Sequence, residues 1–191
     1  MSHDELEALV RVAEASQPAP RDDAARVALA EDRHAIRDLI MAYGYLEDAR
    51  RWDEMLSLYT EDIVRVLAGS LVESVQGKPA LRARLVTPAM EAASGRPAAG
   101  PEQLARLAVR HLMWGDVVRV APDRRTATAA VQYTLVATAD GPDGYRRGSH
   151  EGSYVFEFRR EDGRWKFCRQ VIVTNNAHNP MFAASTEPSD G

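Results

Sequence analysis

The sequence has a single cysteine and no long apolar run. Because Cys168 stands alone, the chain cannot form an intramolecular disulfide or a cysteine-rich metal site. No stretch approaches the roughly 18 apolar residues that a membrane-spanning helix requires. The opening residues, MSHDELE, are acidic where a secretory signal peptide is basic. We therefore expect a cytoplasmic protein.

Several functional motifs are also missing. No run of lysine and arginine forms a stripe and the formal net charge is -4, so nucleic acid is not an expected partner. The sequence has no glycine-rich phosphate loop and no Gly-x-Ser-x-Gly elbow, which argues against nucleotide binding and α/β-hydrolase chemistry. No two histidines stand at metal-ligand spacing, so a metal would need Asp48, His111 and a distant third ligand. We expect no metal and no cofactor.

What is present is typical of one folded domain with tails. The chain has 191 residues, of which 45% are hydrophobic and 27% charged. We predict an N-terminal arm at residues 1–21, a domain at 22–182 and a disordered tail at 183–191. Residues 87–103, rich in Ala, Gly and Pro, are either a flexible lid or a tolerated insertion.

The first part of the domain has helical spacing. Apolar residues recur at steps of three and four from Ile36 to Tyr43, which predicts an amphipathic helix with one buried face. The same spacing from Trp52 to Tyr59 predicts a second, short helix. The runs 63–67 and 71–75 then resemble a short hairpin, and a small helix is expected at about 77–85.

The last third has the pattern of strands. Turn signals separate four strand-like runs at about 109–120, 126–138, 146–159 and 164–174. Short connections make neighbouring strands antiparallel, because a parallel pair needs a long crossover. Helices followed by an antiparallel meander predict an α+β fold, a cone-shaped barrel in which a curved antiparallel sheet wraps around the N-terminal helices and leaves a hollow.

Two residues are candidates for chemistry in that hollow. Asp48 follows Gly44 by one helical turn and either points to water as a turn residue or projects inward. Alternation along a strand places His111 and Met113 on one face and Leu112 and Trp114 on the other, and both faces are expected to be largely buried. A carboxylate bonded to one ring nitrogen would orient His111 as a general base.

Other side chains are candidates for the pocket wall. Tyr133 and Tyr154 are preferred, since an apolar ring with a polar tip suits a cyclic substrate carrying hydroxyl or keto groups. Met113, on the face of His111, and Gln170 complete the predicted substrate-binding set. We expect His150 to be exposed, and the remaining histidines to be peripheral; these are His3, His34 and His178.

Four segments carry a resemblance to a known family. The runs IRDLIMAYGYLED at 36–48, WDEM at 52–55 and DIV at 62–64 are similar to the opening of SnoaL-like proteins in the nuclear transport factor 2-like superfamily. The run FRREDGRWKF at 158–167 resembles the hairpin before the final strand of that family. The resemblance spans about residues 30–176 and implies the cone-shaped α+β fold more specifically than it implies any one reaction.

The resemblance is strongest to the branch that contains scytalone dehydratase, hexachlorocyclohexane dehydrochlorinase and bile-acid 7α-dehydratase. It implies a catalytic dyad of Asp48 and His111, with Tyr43 as a third catalytic residue. The branch tends to place a basic group on the final strand, where this chain has Gln170 or Thr174. Neither side chain is basic, so the final strand of this chain has no match for the family residue expected to assist a leaving group.

Three functions follow as hypotheses. The first is a cofactor-independent lyase or isomerase that abstracts a proton from a small, mostly apolar cyclic molecule. The second is a non-catalytic assembly subunit resembling the β subunit of ring-hydroxylating dioxygenases, and the third is a small-molecule-binding accessory protein. A sheet with one open face also predicts a homodimer or homotrimer.

Overall fold

The computed structural model describes residues 20–68, 73–85, 108–141 and 144–174. Within those ranges the helices are α1 (Asp23–Asp48), α2 (Trp52–Ser57) and α3 (Lys78–Leu85). The strands are β1 (Tyr59–Ala68), β2 (Glu73–Gln76), β3 (Ala108–Val120), β4 (Thr126–Gly141), β5 (Gly144–Glu161) and β6 (Arg164–Thr174). The segment at 87–103, the tail and nearly all of the N-terminal arm lie outside the described residues, so the domain boundaries stay predictions.

Helix α1 forms the axis of the fold. It begins at an N-cap, because the carboxylate of Asp22 accepts a hydrogen bond of 2.8 Å from the backbone nitrogen of Ala25. Its buried positions, which include Ile36, Ile40 and Tyr43, repeat at helical spacing and confirm the predicted apolar face. After the helix ends, Arg50 adopts a φ of 56° and turns the chain into α2.

The six strands form one sheet in the order β2-β1-β6-β5-β4-β3. Strands β3 to β6 are the predicted antiparallel meander, and β1 and β2 also pair antiparallel. The α+β class is confirmed, with one difference: β1 and β6 run parallel, so the sheet is not antiparallel throughout. These two strands are far apart in sequence, and the rule that short connections make antiparallel pairs does not apply to them.

The sheet bends around α1. Register shifts interrupt β3 between Trp114 and Val117 and the β5–β6 pairing between Glu157 and Phe158, and such bulges bend strands. Gly115, inside the first shift, has a φ of 66°, which glycine adopts without strain. The hollow that results is open beside the C-terminal half of α1 and filled by packed side chains beside the N-terminal half.

The filled end contains a buried carboxylate. Asp32 accepts hydrogen bonds from Trp165 Nε1 at 3.1 Å and Arg160 Nη1 at 3.3 Å, and a further one from Arg124 Nε. Burial opposes ionisation of Asp32, but the bonds from Arg124 and Trp165 and the charges of both arginines outweigh it and lower its pKa. This contact joins α1 to the turns of the meander.

The outer face of β3 differs from its expected environment. Leu112 is 51% and Trp114 47% exposed, so the prediction that both faces of this strand are largely buried is wrong. Both side chains lie on the face of β3 opposite His111, and β3 is the last strand of the sheet, so the described residues cover only about half of their surface. The predicted homo-oligomer, which would cover such a face, stays a prediction.

Candidate active site

A glycine on α1 allows the helix to approach β3 closely. A Cβ atom on Gly44 would lie 2.6 Å from Met113 Cε and 3.4 Å from His111 Cβ. Because Gly44 has no side chain, the helix packs directly over the strand at this point. Asp48 lies one turn further along the helix and therefore reaches the same strand.

Asp48 and His111 form a buried hydrogen-bonded pair. Asp48 Oδ1 lies 2.7 Å from His111 Nδ1, and the two side chains are 8% and 5% exposed. The backbone nitrogen of His111 also donates to Asp48, at 3.0 Å to Oδ2 and 3.2 Å to Oδ1. A carboxylate at Nδ1 favours the tautomer with the proton on that nitrogen, which leaves the lone pair on Nε2.

A second carboxylate faces the opposite nitrogen of the imidazole. Glu47 Oε2 lies 3.7 Å from His111 Nε2, beyond a normal hydrogen bond. This oxygen is buried and has no hydrogen-bond partner among the described residues. Glu47 was not among the predicted site residues, although its position one turn after Tyr43 on the apolar face was a usable signal.

The pair lies on the wall of a cavity of about 260 Å³. Five of the predicted site residues line this cavity: Tyr43, Asp48, His111, Tyr133 and Tyr154. We call it the main cavity. Aliphatic and aromatic side chains form much of the rest of its wall, which suits a small, mostly apolar molecule.

Tyrosines form one side of the main cavity. The rings of Tyr133 and Tyr154 stack with centroids 4.3 Å apart, and Tyr43 meets Tyr154 edge-on at 5.8 Å. Burial raises the pKa of Tyr133 to about 12 and raises those of Tyr43 and Tyr154 well above the usual range. The phenols therefore keep their protons at neutral pH.

Two of these hydroxyls have no hydrogen-bond partner in the part of the chain that the structure describes. Tyr43 Oη and Tyr133 Oη are buried and make no hydrogen bond of good geometry to any described protein group. Burial raises the pKa of Tyr154, and a hydrogen-bonding approach from Tyr43 offsets part of that rise, but the geometry of the approach falls short of a regular hydrogen bond. Buried polar groups are nearly always paired in folded proteins, so an unpaired hydroxyl on a residue that lines a cavity is a candidate to bond a ligand.

The position of Tyr133 depends on a second glycine. Gly152 lies opposite Tyr133 in the β4–β5 pairing, and a Cβ there would lie 2.8 Å from the ring and 2.0 Å from the backbone oxygen of Val173. No side chain can be accommodated at that position without moving strand β6. Gly152 thus allows the ring to lie across the sheet and form the cavity wall.

Two predicted binding residues lie elsewhere. Met113 packs between the sheet and Gly44 and does not line the main cavity. Gln170 is fully buried in the core, where its Oε1 accepts a hydrogen bond of 3.1 Å from Tyr59. Thr174, the alternative at the final strand, does line the main cavity. Side chains alternate along β6, so Thr174 shares a face with Gln170 and lies nearer to the open end of the hollow.

His150 also lines the main cavity, so the expectation that it is exposed is wrong. It pairs with Leu135 across the sheet and shares the inner face with Gly152 and Tyr154, as alternation from those residues requires. Burial lowers the pKa of His150, and the neighbouring His111 lowers it further. Its surroundings therefore favour the neutral form of His150.

Arg65 is a cation that sequence analysis missed. It lines the main cavity from β1, beside Gln170 of β6. Burial tends to lower its pKa, but Tyr43 and Glu47 reverse that effect and hold the pKa above its usual value. The family branch was expected to carry a basic group on the final strand, and the neighbouring strand β1 carries one here.

No group of three or more His, Cys, Asp or Glu residues in the described ranges is arranged to hold a metal ion. Among the same residues, no helix is both long and apolar enough to cross a membrane.

Comparison with known proteins gives one family match and many fold matches. The family described as the SnoaL-like domain matches residues 28–171. No curated protein matches the chain significantly. A protein of Novosphingobium aromaticivorans described as NTF2-like with a cystatin-like fold is 24% identical, with a TM-score of 0.60, over 83% of this chain and 94% of that one.

Two further structures connect to the hypotheses above. A Novosphingobium aromaticivorans protein named provisionally as a scytalone dehydratase is 22% identical over 76% of this chain and 85% of its own, with a TM-score of 0.54. The β subunit of benzoate 1,2-dioxygenase from Burkholderia mallei is 14% identical over 84% of this chain and 94% of its own, with a TM-score of 0.58. At these identities the likeness shows the fold alone.

Proposed function

The chain belongs to the SnoaL-like domain family, and from that premise we propose that it is a cofactor-independent lyase or isomerase acting on a small, mostly apolar cyclic molecule. The observation that carries the proposal is the Asp48–His111 hydrogen bond of 2.7 Å on the wall of the main cavity. A carboxylate that orients an imidazole is the arrangement of a general base. The pair is buried, so its geometry is held by the packing of α1 on β3.

His111 removes a proton from a carbon of the substrate through Nε2. The imidazolium that forms is stabilised by Asp48 at Nδ1. The electron pair of the broken C–H bond either expels a leaving group from the neighbouring carbon or returns to a proton at another carbon. The first outcome is an elimination and the second an isomerisation. A positioned base of this kind contributes a factor of about 10² to 10⁴ to the rate.

Tyr43 serves as a hydrogen-bond donor to an oxygen of the substrate. Its hydroxyl is protonated, buried and unpaired among the described residues. A donor aimed at an oxygen that gains negative charge lowers the barrier, because the donor needs no reorganisation during the reaction. The stacked pair of Tyr133 and Tyr154 provides a flat wall for a ring.

The non-catalytic alternative is an assembly subunit. Its support is the fold shared with the dioxygenase β subunit and the exposed Leu112 and Trp114 on the last strand. Its difficulty is the main cavity, where Glu47 Oε2, Tyr43 Oη and Tyr133 Oη are buried without a hydrogen-bond partner in the described ranges. Unpaired buried polar atoms cost stability, and a scaffold gains nothing from them.

The test is proton exchange at carbon. The protein is incubated in D₂O with a panel of cyclic ketones and hydroxyketones, and deuterium incorporation and loss of water are followed by NMR and mass spectrometry. We expect the wild type to exchange or eliminate on at least one compound. His111→Asn should reduce the rate about 10² to 10⁴-fold.

The chain offers a matched control. His34 and Asp38 form a similar pair at 3.4 Å on the surface of α1, where their side chains are 79% and 67% exposed. His34→Asn makes the same substitution away from the cavity and should leave the rate unchanged. Equal rates in His111→Asn and the wild type, or no reaction on any panel member, would remove the catalytic proposal.

A further inference from the structure

A smaller cavity adjoins the main one. It has a volume of about 150 Å³ and is lined by Arg65 and Arg84 together with Leu67, Val75, Leu85 and Ile172. We call it the side cavity. Three of its residues, Arg65, Leu67 and Ile172, also line the main cavity, so the two cavities meet at these side chains and Arg65 borders both.

The two cavities differ in charge. The side cavity is lined by two arginines and four aliphatic side chains, with no carboxylate among those residues. The main cavity is lined by the carboxylates of Glu47 and Asp48 together with the guanidinium groups of Arg50 and Arg65. A carboxylate on a ligand therefore meets like charges in the main cavity and none among the described residues that line the side cavity.

Sheet topology separates these ends. His111 is on β3, the last strand of the sheet, whereas Arg65 is on β1, next to the opposite edge. Because the sheet curls around α1, the two strands face each other across the hollow. A molecule held by Arg65 thus extends toward His111 from the far wall.

Arg65 is available to a ligand. No carboxylate of the described residues lies within ion-pair distance of its guanidinium, in contrast to Arg124 and Arg159, which are paired with Asp32 and Asp62. A buried guanidinium without a carboxylate partner retains its full capacity for hydrogen bonding. Carboxylates match the planar donor pattern of arginine best.

We propose that the side cavity binds a carboxylate, so that the substrate is a cyclic carboxylic acid with its ring beside His111 and its acid group at Arg65. This inference deepens the proposed function and rests on it for the identity of the main cavity as the reaction site. The acid group acts as an anchor, and the Asp48–His111 pair acts on the ring.

The test compares two probes that have the same shape and differ in charge. Phenylacetate and phenylacetamide are titrated into the protein at pH 7 by calorimetry. A charge-assisted hydrogen bond favours the acid, so we expect phenylacetate to bind at least about tenfold more tightly than the amide. Arg65→Gln should remove that preference, and Arg65→Lys should keep part of it.

Two controls isolate the effect of Arg65. Arg169→Gln removes a cation from the neighbouring strand β6, where Arg169 is 48% exposed and faces Glu157, and should leave the preference intact. Arg84→Gln changes a side chain that lines the same cavity but is already engaged elsewhere, so it should alter the preference less than Arg65→Gln does. If Arg65→Gln does not fold, the wild-type preference for the acid and its partial retention in Arg65→Lys still decide the question.

The outcomes distinguish this inference from the catalytic proposal. Equal affinities for acid and amide, or a preference that survives in folded Arg65→Gln, would overturn the carboxylate site even if His111 proves catalytic. An acid preference that depends on Arg65 and persists in His111→Asn supports the site, whether or not any compound is converted.

Discussion

Helix α1 carries two buried aspartates with opposite surroundings. Asp32 is 4% exposed and its oxygens accept from Trp165 and from two arginines. Asp48 is 8% exposed, and its bonds go to the backbone and ring of His111 alone among the described residues. The first is held by several donors in a filled region, and the second by one residue at the edge of a cavity.

The comparison shows that burial of a carboxylate does not by itself indicate function. The charge of Asp32 is matched locally, so its role is to join α1 to the meander. Near Asp48, Glu47 Oε2 and Tyr43 Oη have no hydrogen-bond partner within the described residues. Unpaired groups around a paired carboxylate, rather than the carboxylate itself, indicate the candidate site.

The largest expected effect on stability is at Asp32. Asp32→Ala removes the shared acceptor of Trp165, Arg124 and Arg160; because the arginine side chains are 38% and 34% exposed, water replaces part of the lost interaction, and the free energy of unfolding should fall by about 1 to 3 kcal/mol. Urea unfolding measures the change. Asp38→Ala, on the same helix with a 67% exposed side chain, should change it by less than about 0.5 kcal/mol.

A loss of stability in Asp32→Ala distinguishes Asp32 from Asp48 only if the variant keeps its catalytic activity. Asp32→Ala, assayed below its unfolding transition, should retain the wild-type rate per folded molecule. A large loss of activity with unchanged stability would show that Asp32 also belongs to the functional site.

The second-largest expected effect is the loss of catalytic rate when Asp48 is replaced. Asp48→Asn keeps the size of the side chain and can still accept from the backbone of His111, but its neutral amide no longer stabilises the imidazolium. We expect kcat/KM to fall about 100-fold, equivalent to about 2.7 kcal/mol, on any compound found active in the exchange panel. Circular dichroism should show an unchanged fold. A normal rate in this variant would disconnect Asp48 from the chemistry.

The smallest expected changes in stability and rate come from removing the hydroxyl of either of two buried tyrosines. Tyr43→Phe removes an unpaired hydroxyl, so stability should stay equal or rise by up to about 1 kcal/mol while the rate falls about tenfold. Tyr59→Phe is the matched variant, because Tyr59 Oη donates to Gln170 at 3.1 Å. It should lose about 1 to 2 kcal/mol with no change in rate. Identical behaviour of the two variants would contradict a special role for Tyr43.

Much of the fold was predictable because its signals are local. The apolar spacing from Ile36 to Tyr43 gave the buried face of α1, and the turn at Asp162-Gly163 marked the β5–β6 hairpin. The parallel pairing of β1 with β6 joins segments far apart in the chain and has no local signal. The exposure of Trp114 depends equally on the absence of a covering layer, which strand alternation does not reveal.

The site was predictable where a family pattern or helical spacing pointed inward. Asp48, His111 and Tyr43 lie together at the main cavity, although their catalytic roles stay predictions. Glu47 and Arg65 were missed because charged residues on helices and strands are usually solvated, so composition gives no reason to place them inside. Their position follows from the curl of the sheet, which only the assembled fold defines.

The three tryptophans lie in three different environments, and each can act as a separate optical reporter. Trp52 lines the main cavity, Trp165 donates to Asp32, and Trp114 is half exposed on the outer face with its indole nitrogen bonded to Gln132. In single-tryptophan variants, fluorescence from Trp52 would register ligand entry, that from Trp165 loss of the filled end, and that from Trp114 contact with another molecule. One spectroscopic method can thus follow binding, unfolding and self-association independently.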